Sequence, residues 1–113
     1  MDDQTTVTQL KEWANEFVEE RNWYQYHTPK NLAMSVAIEA AELMEIFQWK
    51  TAEESLLIGQ NPDTLEHIGE EISDILAYLL NMANTLEIDL SSSFQKKMIK
   101  NGQKYPVGAE TKF

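Results

Sequence analysis

Glu39 and Glu42 in "EAAE", with Glu71 and Asp74 in "EISD", are the residues of this chain best equipped for chemistry. Each pair is spaced i, i+3, which places both carboxylates on one side of a helix, about one turn apart. Carboxylates gathered at one place repel one another and resist ionisation unless a cation compensates them. An all-oxygen donor set suits hard divalent ions such as Mg²⁺ or Mn²⁺, and magnesium commonly shares oxygen ligands with substrate phosphates. Four convergent carboxylates therefore point to metal-assisted chemistry on a phosphorylated substrate. A ferritin-like di-iron centre is the rival reading, and it needs a Glu-x-x-His on each of two helices. Neither His27 nor His67 follows a glutamate by three positions, which disfavours it.

Convergence depends on the helices that carry the pairs. With Val36 as reference, Leu32, Ala40, Leu43 and Phe47 fall within about 40° of one direction and predict the core stripe of a helix from about Pro29 to Gln48. Glu39 and Glu42 lie about 60° and 120° to one side of it, and Glu45 falls roughly opposite, toward solvent. A longer helix, from about Thr64 to Glu87, is predicted by Leu65, Ile68, Ile72, Ile75, Leu76, Leu79 and Ala83. With Ile72 as reference, Glu71 and Asp74 lie about 100° and 160° to one side, with Tyr78 between them. Either acid pair alone reads as an ordinary solvated face. One pair on each of the two most apolar helices converges if those helices pack side by side.

The remaining elements are also helical. Val7, Leu10, Ala14 and Phe17 predict a helix over roughly residues 5 to 21, with a capping-box pattern at Thr6 to Gln9. Thr28 and Pro29 read as N-cap and first helical residue of the next helix. A second capping-box pattern, Thr51 to Glu54, starts a short helix expected to close at Gly59, after which "GQNPD" reads as a turn. Leu90, Phe94 and Met98 predict a last helix from about Asp89 to Asn101, followed from about residue 102 by an irregular tail. The expected architecture is all-α: an antiparallel bundle of about four main helices and a short connecting helix. We expect residues 1–113 to form one domain, with more apolar helix surface than one short chain can cover.

Composition narrows the partners. The formal net charge is -10 over 113 residues, which opposes binding to nucleic-acid phosphates or anionic membranes. There is no cysteine, so neither disulfides nor a thiolate metal site is available. The acidic, polar start and the short apolar runs predict no signal peptide and no membrane span, hence a cytoplasmic protein.

The chain resembles the MazG-like all-α nucleotide pyrophosphatases, in their dCTP pyrophosphatase-like branch. The resemblance is carried by "EAAE" and "EISD", and by "ERNWYQYHTPKNL", "FQWK" and "KMIKNGQKYP" around them, from about Leu10 to Pro106. It implies Mg²⁺-dependent hydrolysis of a nucleoside triphosphate between the α and β phosphates, giving a monophosphate and diphosphate. It also implies a homodimer or a dimer of dimers. Carried over residue by residue, Glu39, Glu42, Glu71 and Asp74 would ligate the metal, with Glu39 or Glu42 activating water. Trp23, His27 and Trp49 would enclose the base, Tyr78 would touch substrate, and Lys97, Asn101 and Lys104 would meet the triphosphate. Where many relatives carry Val-Gly, this chain has Ala40 and Ala41, both small enough for close helix packing. The competing expectation is a non-enzymatic helical interaction module, with solvated carboxylates and aromatic residues facing a partner.

Overall fold

The computed structural model describes residues 1–108 of the chain. Its helices are α1 (Val7–Glu20), α2 (Pro29–Phe47), α3 (Ala52–Leu56), α4 (Pro62–Leu86) and α5 (Leu90–Lys104), with a 3-10 turn at Ile58–Gln60. No strand occurs among the described residues, and no helix among them is long and apolar enough to cross a membrane.

The helix starts follow their caps. Thr6, Thr28 and Thr51 accept from the backbone N–H groups of Gln9, Asn31 and Glu54, at 3.1, 3.2 and 3.1 Å. Only Thr51 completes the reciprocal capping box, through Glu54 Oε1 at 2.9 Å from its own N–H. "GQNPD" is not a free turn. Asn61 Oδ1 accepts from Asp63 and Thr64 N–H, each at 3.1 Å, and Pro62 takes the first helical position, where its missing donor costs nothing. α4 therefore begins two residues before the expected Thr64.

The last helix also exceeds its expected bounds. Tyr105 N–H donates to Asn101 carbonyl at 2.7 Å, so the helical ladder runs through Gly102 to Lys104, where the sequence predicts an irregular tail. Gly102 does not act as a stop because the left-handed glycine comes later, at Gly108 (φ 91°). Residues 109–113 of that tail lie outside the described residues.

α4 is the hub on which α2 and α1 pack. Both run antiparallel to it: Glu42 lies near Glu71 while Ile46 lies near Thr64, and Asn84 Nδ2 donates to Lys11 carbonyl at 3.0 Å near the start of α1. Lys11 Nζ adds a 2.6 Å bond to Ile88 carbonyl. Val18, Leu32, Leu80 and Ala83 are buried between these helices.

The inward faces differ from those the apolar spacing suggests. Besides Leu80, Asn81 and Ala83, which are buried near the end of α4, a buried or half-buried line runs along each helix: Leu32, Val36, Glu39, Leu43 and Ile46 on α2, and Ile68, Glu71, Ile75, Tyr78 and Met82 on α4. These lines are rotated from the expected stripes by about 40° and 80°. Both have the alternating 3- and 4-residue spacing of a helix seam, and Glu39 and Glu71 occupy seam positions that apolar side chains usually fill. In exchange, Ala40 and the α4 residues Leu65, Ile72, Leu76 and Leu79 stand exposed.

A 16.7 Å radius of gyration, against about 13 Å for a compact chain of this length, agrees with that open arrangement. α5 buries no residue completely. Its Leu90 and Phe94 border an apolar cavity of about 440 Å³ together with Val7, Leu10 and Leu79.

Candidate active site

Seam packing brings three of the four predicted acids together. Glu39, Glu42 and Glu71 each present a carboxylate oxygen, and these oxygens lie within 4.8 Å of one another. Glu39 Oε2 and Glu71 Oε2 are buried and accept no hydrogen bond. His67, one turn before Glu71 on α4, places Nε2 at 3.3 Å from its other oxygen. Buried acceptors without donors are costly, and three anions share this point.

Glu39 records the strain. Burial pushes its carboxyl from the ordinary 4.5 up to about 7; the neighbouring Glu42 carboxyl adds to this by hydrogen bond and charge, followed by the charges of Asp74 and Glu71. Two orphaned buried oxygens and a purely carboxylate donor set fit a hard divalent cation. Asp74 is more exposed and lies outside the three-oxygen cluster. It lines the adjoining cavity with Glu39.

That cavity, about 300 Å³, is bordered by Trp23, His27, Tyr78 and Asn81 as well as the two acids. Its aromatic wall is built by the way α1 ends. Asn22 takes the left-handed conformation (φ 54°), Asn22 N–H donates to Glu19 carbonyl and Trp23 N–H to Val18 carbonyl, both at 3.0 Å. This is the Schellman arrangement, and it turns the chain so that Trp23 packs beside the helix it has just left. Phe17 meets Trp23 edge to face at 5.6 Å. The His27 ring centre is 6.1 Å from those of both Trp23 and Tyr78, so the three rings form a continuous wall from the α1–α2 loop to α4. Toward Glu42 and Glu71 a wider cleft of about 650 Å³ opens, bordered also by Lys50 and His67.

Other expected substrate contacts stand elsewhere. Trp49 lies past the α2 C-cap Gln48, is 89% exposed and does not border the cavity. Lys97, Asn101 and Lys104 are carried on α5, away from the seam, and none borders the cavity either. Lys104 instead holds its ammonium 5.2 Å from the Tyr105 ring. Glu45 is exposed, as its angle predicts.

Four cavity residues escape a reading based on acids and known motifs: Phe17, whose spacing suggests core, the small or apolar Val18 and Ala77, and Asn81. Asn81 was detectable in principle, because it is a polar residue inside the apolar run "YLLNMA", three residues after Tyr78 and seven after Asp74 on the same helix face.

Comparison with known proteins identifies the family. The family model described as MazG-like matches residues 34–113. The curated relatives called dCTP pyrophosphatase 1 from Bos taurus and Homo sapiens are 38% and 37% identical over 102 residues, or 90% of this chain. The chain spans 60% of the length of those relatives. The crystal structure of a pyrophosphatase from Archaeoglobus fulgidus DSM 4304 is similar with a TM-score of 0.74 and 43% identity, over 84% of this chain and 87% of that one. On the family match and the likeness to this solved pyrophosphatase, the chain belongs to the MazG-like family.

Proposed function

We propose that the protein is a Mg²⁺-dependent nucleoside triphosphate pyrophosphohydrolase that converts a deoxynucleoside triphosphate to the monophosphate and diphosphate. dCTP or a modified dCTP is the favoured substrate, and clearing such nucleotides from the cytoplasmic pool is the role. The single observation that carries this reading is the cluster of Glu39, Glu42 and Glu71 oxygens at the mouth of an aromatic cavity. The names of the curated relatives support the cytosine preference.

Glu39, Glu42 and Glu71 would hold the ion, with Asp74 beside them; Mn²⁺ is the natural substitute. The bound ion supplies charge neutralisation and polarises phosphate oxygens. The chain supplies position. Trp23, His27 and Tyr78 enclose the base, and the phosphates then extend across the carboxylates toward the cleft with Lys50 and His67. Glu39 or Glu42 orients and deprotonates the attacking water as a positioned general base. Trp49, Lys97, Asn101 and Lys104 do not border the cavity of their own chain, so as substrate contacts they require a second copy. A homodimer or homotetramer is supported by the exposed Leu65, Ile72, Leu76 and Leu79.

The test is a panel of the four deoxynucleoside triphosphates with Mg²⁺, products separated by ion-exchange chromatography. Monophosphate and diphosphate in equal amounts are expected, fastest from dCTP. Orthophosphate as first product, or no turnover of any nucleotide, overturns the reading.

A further inference from the structure

Asn81 sits in the middle of α4, is only 5% exposed, and borders the aromatic cavity. Its Oδ1 is buried and has no hydrogen-bond partner. A buried amide acceptor without a donor is an expense that natural cores rarely keep. Apolar neighbours such as Leu80 and Ala83 show that this part of α4 has no need of a polar side chain for its packing. The cost is explained if a ligand brings the missing donor.

The identity of the orphaned atom sets the chemistry. An acceptor needs a donor, and a pyrimidine edge offers either the exocyclic amino group of cytosine or the ring N3–H of uracil and thymine. Cytosine places its 4-amino group next to the ring N3 acceptor, so one amide side chain meets both: Oδ1 accepts from the amino group while the amide N–H donates to N3. Uracil and thymine, with a 4-carbonyl beside a ring N3–H, would need the amide turned end for end; with Oδ1 held where the structure places it, their carbonyl faces it acceptor to acceptor. The cavity of about 300 Å³ is at the small end of ligand pockets, which suits one pyrimidine ring and leaves the phosphates outside it, over the carboxylates. We infer that Asn81 is the specificity-determining residue of the site, selecting a 4-amino pyrimidine over its 4-oxo counterpart. The inference deepens the proposed function and rests on its base cavity, and the role of Asn81 is to select the base and not to perform the cleavage.

The experiment compares dCTP with dUTP, which differ only in the 4-substituent and the N3 proton that goes with it, for the wild-type protein, Asn81→Ala and Asn81→Leu. Leucine replaces the amide by an apolar group of similar size and keeps the comparison meaningful if the alanine variant folds poorly. Removing the paired acceptor is expected to lower the dCTP over dUTP ratio of kcat/KM by about 10- to 100-fold. Asn81→Leu should melt at the same or a higher temperature than wild type, because the unpaired buried acceptor is gone. Calorimetric binding of dCMP and dUMP provides the arm that needs no cleavage. Wild-type protein that does not distinguish the two bases, or variants that keep its ratio, overturn the inference and leave the proposed reaction standing. Binding of dCMP over dUMP through Asn81, with no triphosphate cleaved, upholds the inference while refuting the reaction.

Discussion

Glu39→Gln separates the cost of the acid cluster from its use. In metal-free protein, Glu39 keeps its proton up to about pH 7, against an ordinary value of 4.5. A folded-state pKa above the unfolded one means that the unfolded chain releases the proton first as pH rises. The penalty is therefore absent well below pH 4.5, grows between 4.5 and 7, and is complete above 7. Its ceiling is about 3 kcal/mol; solvent access to the side chain reduces this to about 1–2 kcal/mol. Glutamine keeps the shape and removes the charge, so it should stabilise the chelated protein by that amount at pH 8. At pH 5 the gain should fall to a few tenths of a kcal/mol, since most of the penalty has not yet developed. The assay is urea unfolding in chelator at both pH values, at one fixed protein concentration because association also shifts the midpoint. Mg²⁺ should then raise the wild-type midpoint and move that of Glu39→Gln far less. A variant less stable than wild type at pH 8, or equally stabilised at both pH values, would refute the cluster as a store of repulsion that a cation relieves.

Other perturbations rank the remaining parts. Glu71→Gln should lower Mg²⁺-dependent turnover by at least about 100-fold, whereas Asp74→Asn, at an acid outside the three-oxygen cluster, should lower it less; steady-state kinetics with retained far-ultraviolet dichroism checks the order. Leu79→Glu places a charge on an α4 face that is 43% exposed within one chain, and light scattering should show a smaller assembly with the helical dichroism retained. Thr51→Ala removes the side-chain acceptor of the only complete capping box among the described helices and should cost about 1 kcal/mol in thermal unfolding, with no change in KM.

Helix existence was the most legible feature of the chain, because caps and apolar periodicity act locally. Thr28-Pro29 and the Thr51–Glu54 box each start a helix where the sequence places one. Local signals misplaced three boundaries: the short helix expected to close at Gly59 ends at Leu56, and two others shifted. Asn61 and Pro62 form a helix start although the surrounding letters also suit a turn, and Gly102 is carried within α5 because a glycine need not end a helix unless the backbone turns left-handed there.

The acid pairs and their shared orientation were likewise present in the residue spacing. What spacing does not contain is which apolar face each helix spends on its own chain. α4 is apolar around much of its circumference, and periodicity sums the face toward α2 with the face left bare at Ile72 and Leu76. Only packing assigned Glu39 and Glu71 to the seam, drew three carboxylates within 4.8 Å, left Asp74 at the cavity rim and placed Trp49 and α5 apart from it. The sequence by itself determined the helices and the chemical character of their side chains, since these depend on neighbours a few residues away. The tertiary structure decided which of those side chains meet, because burial and repulsion arise between residues that are distant along the chain and brought together only when α2 docks on α4.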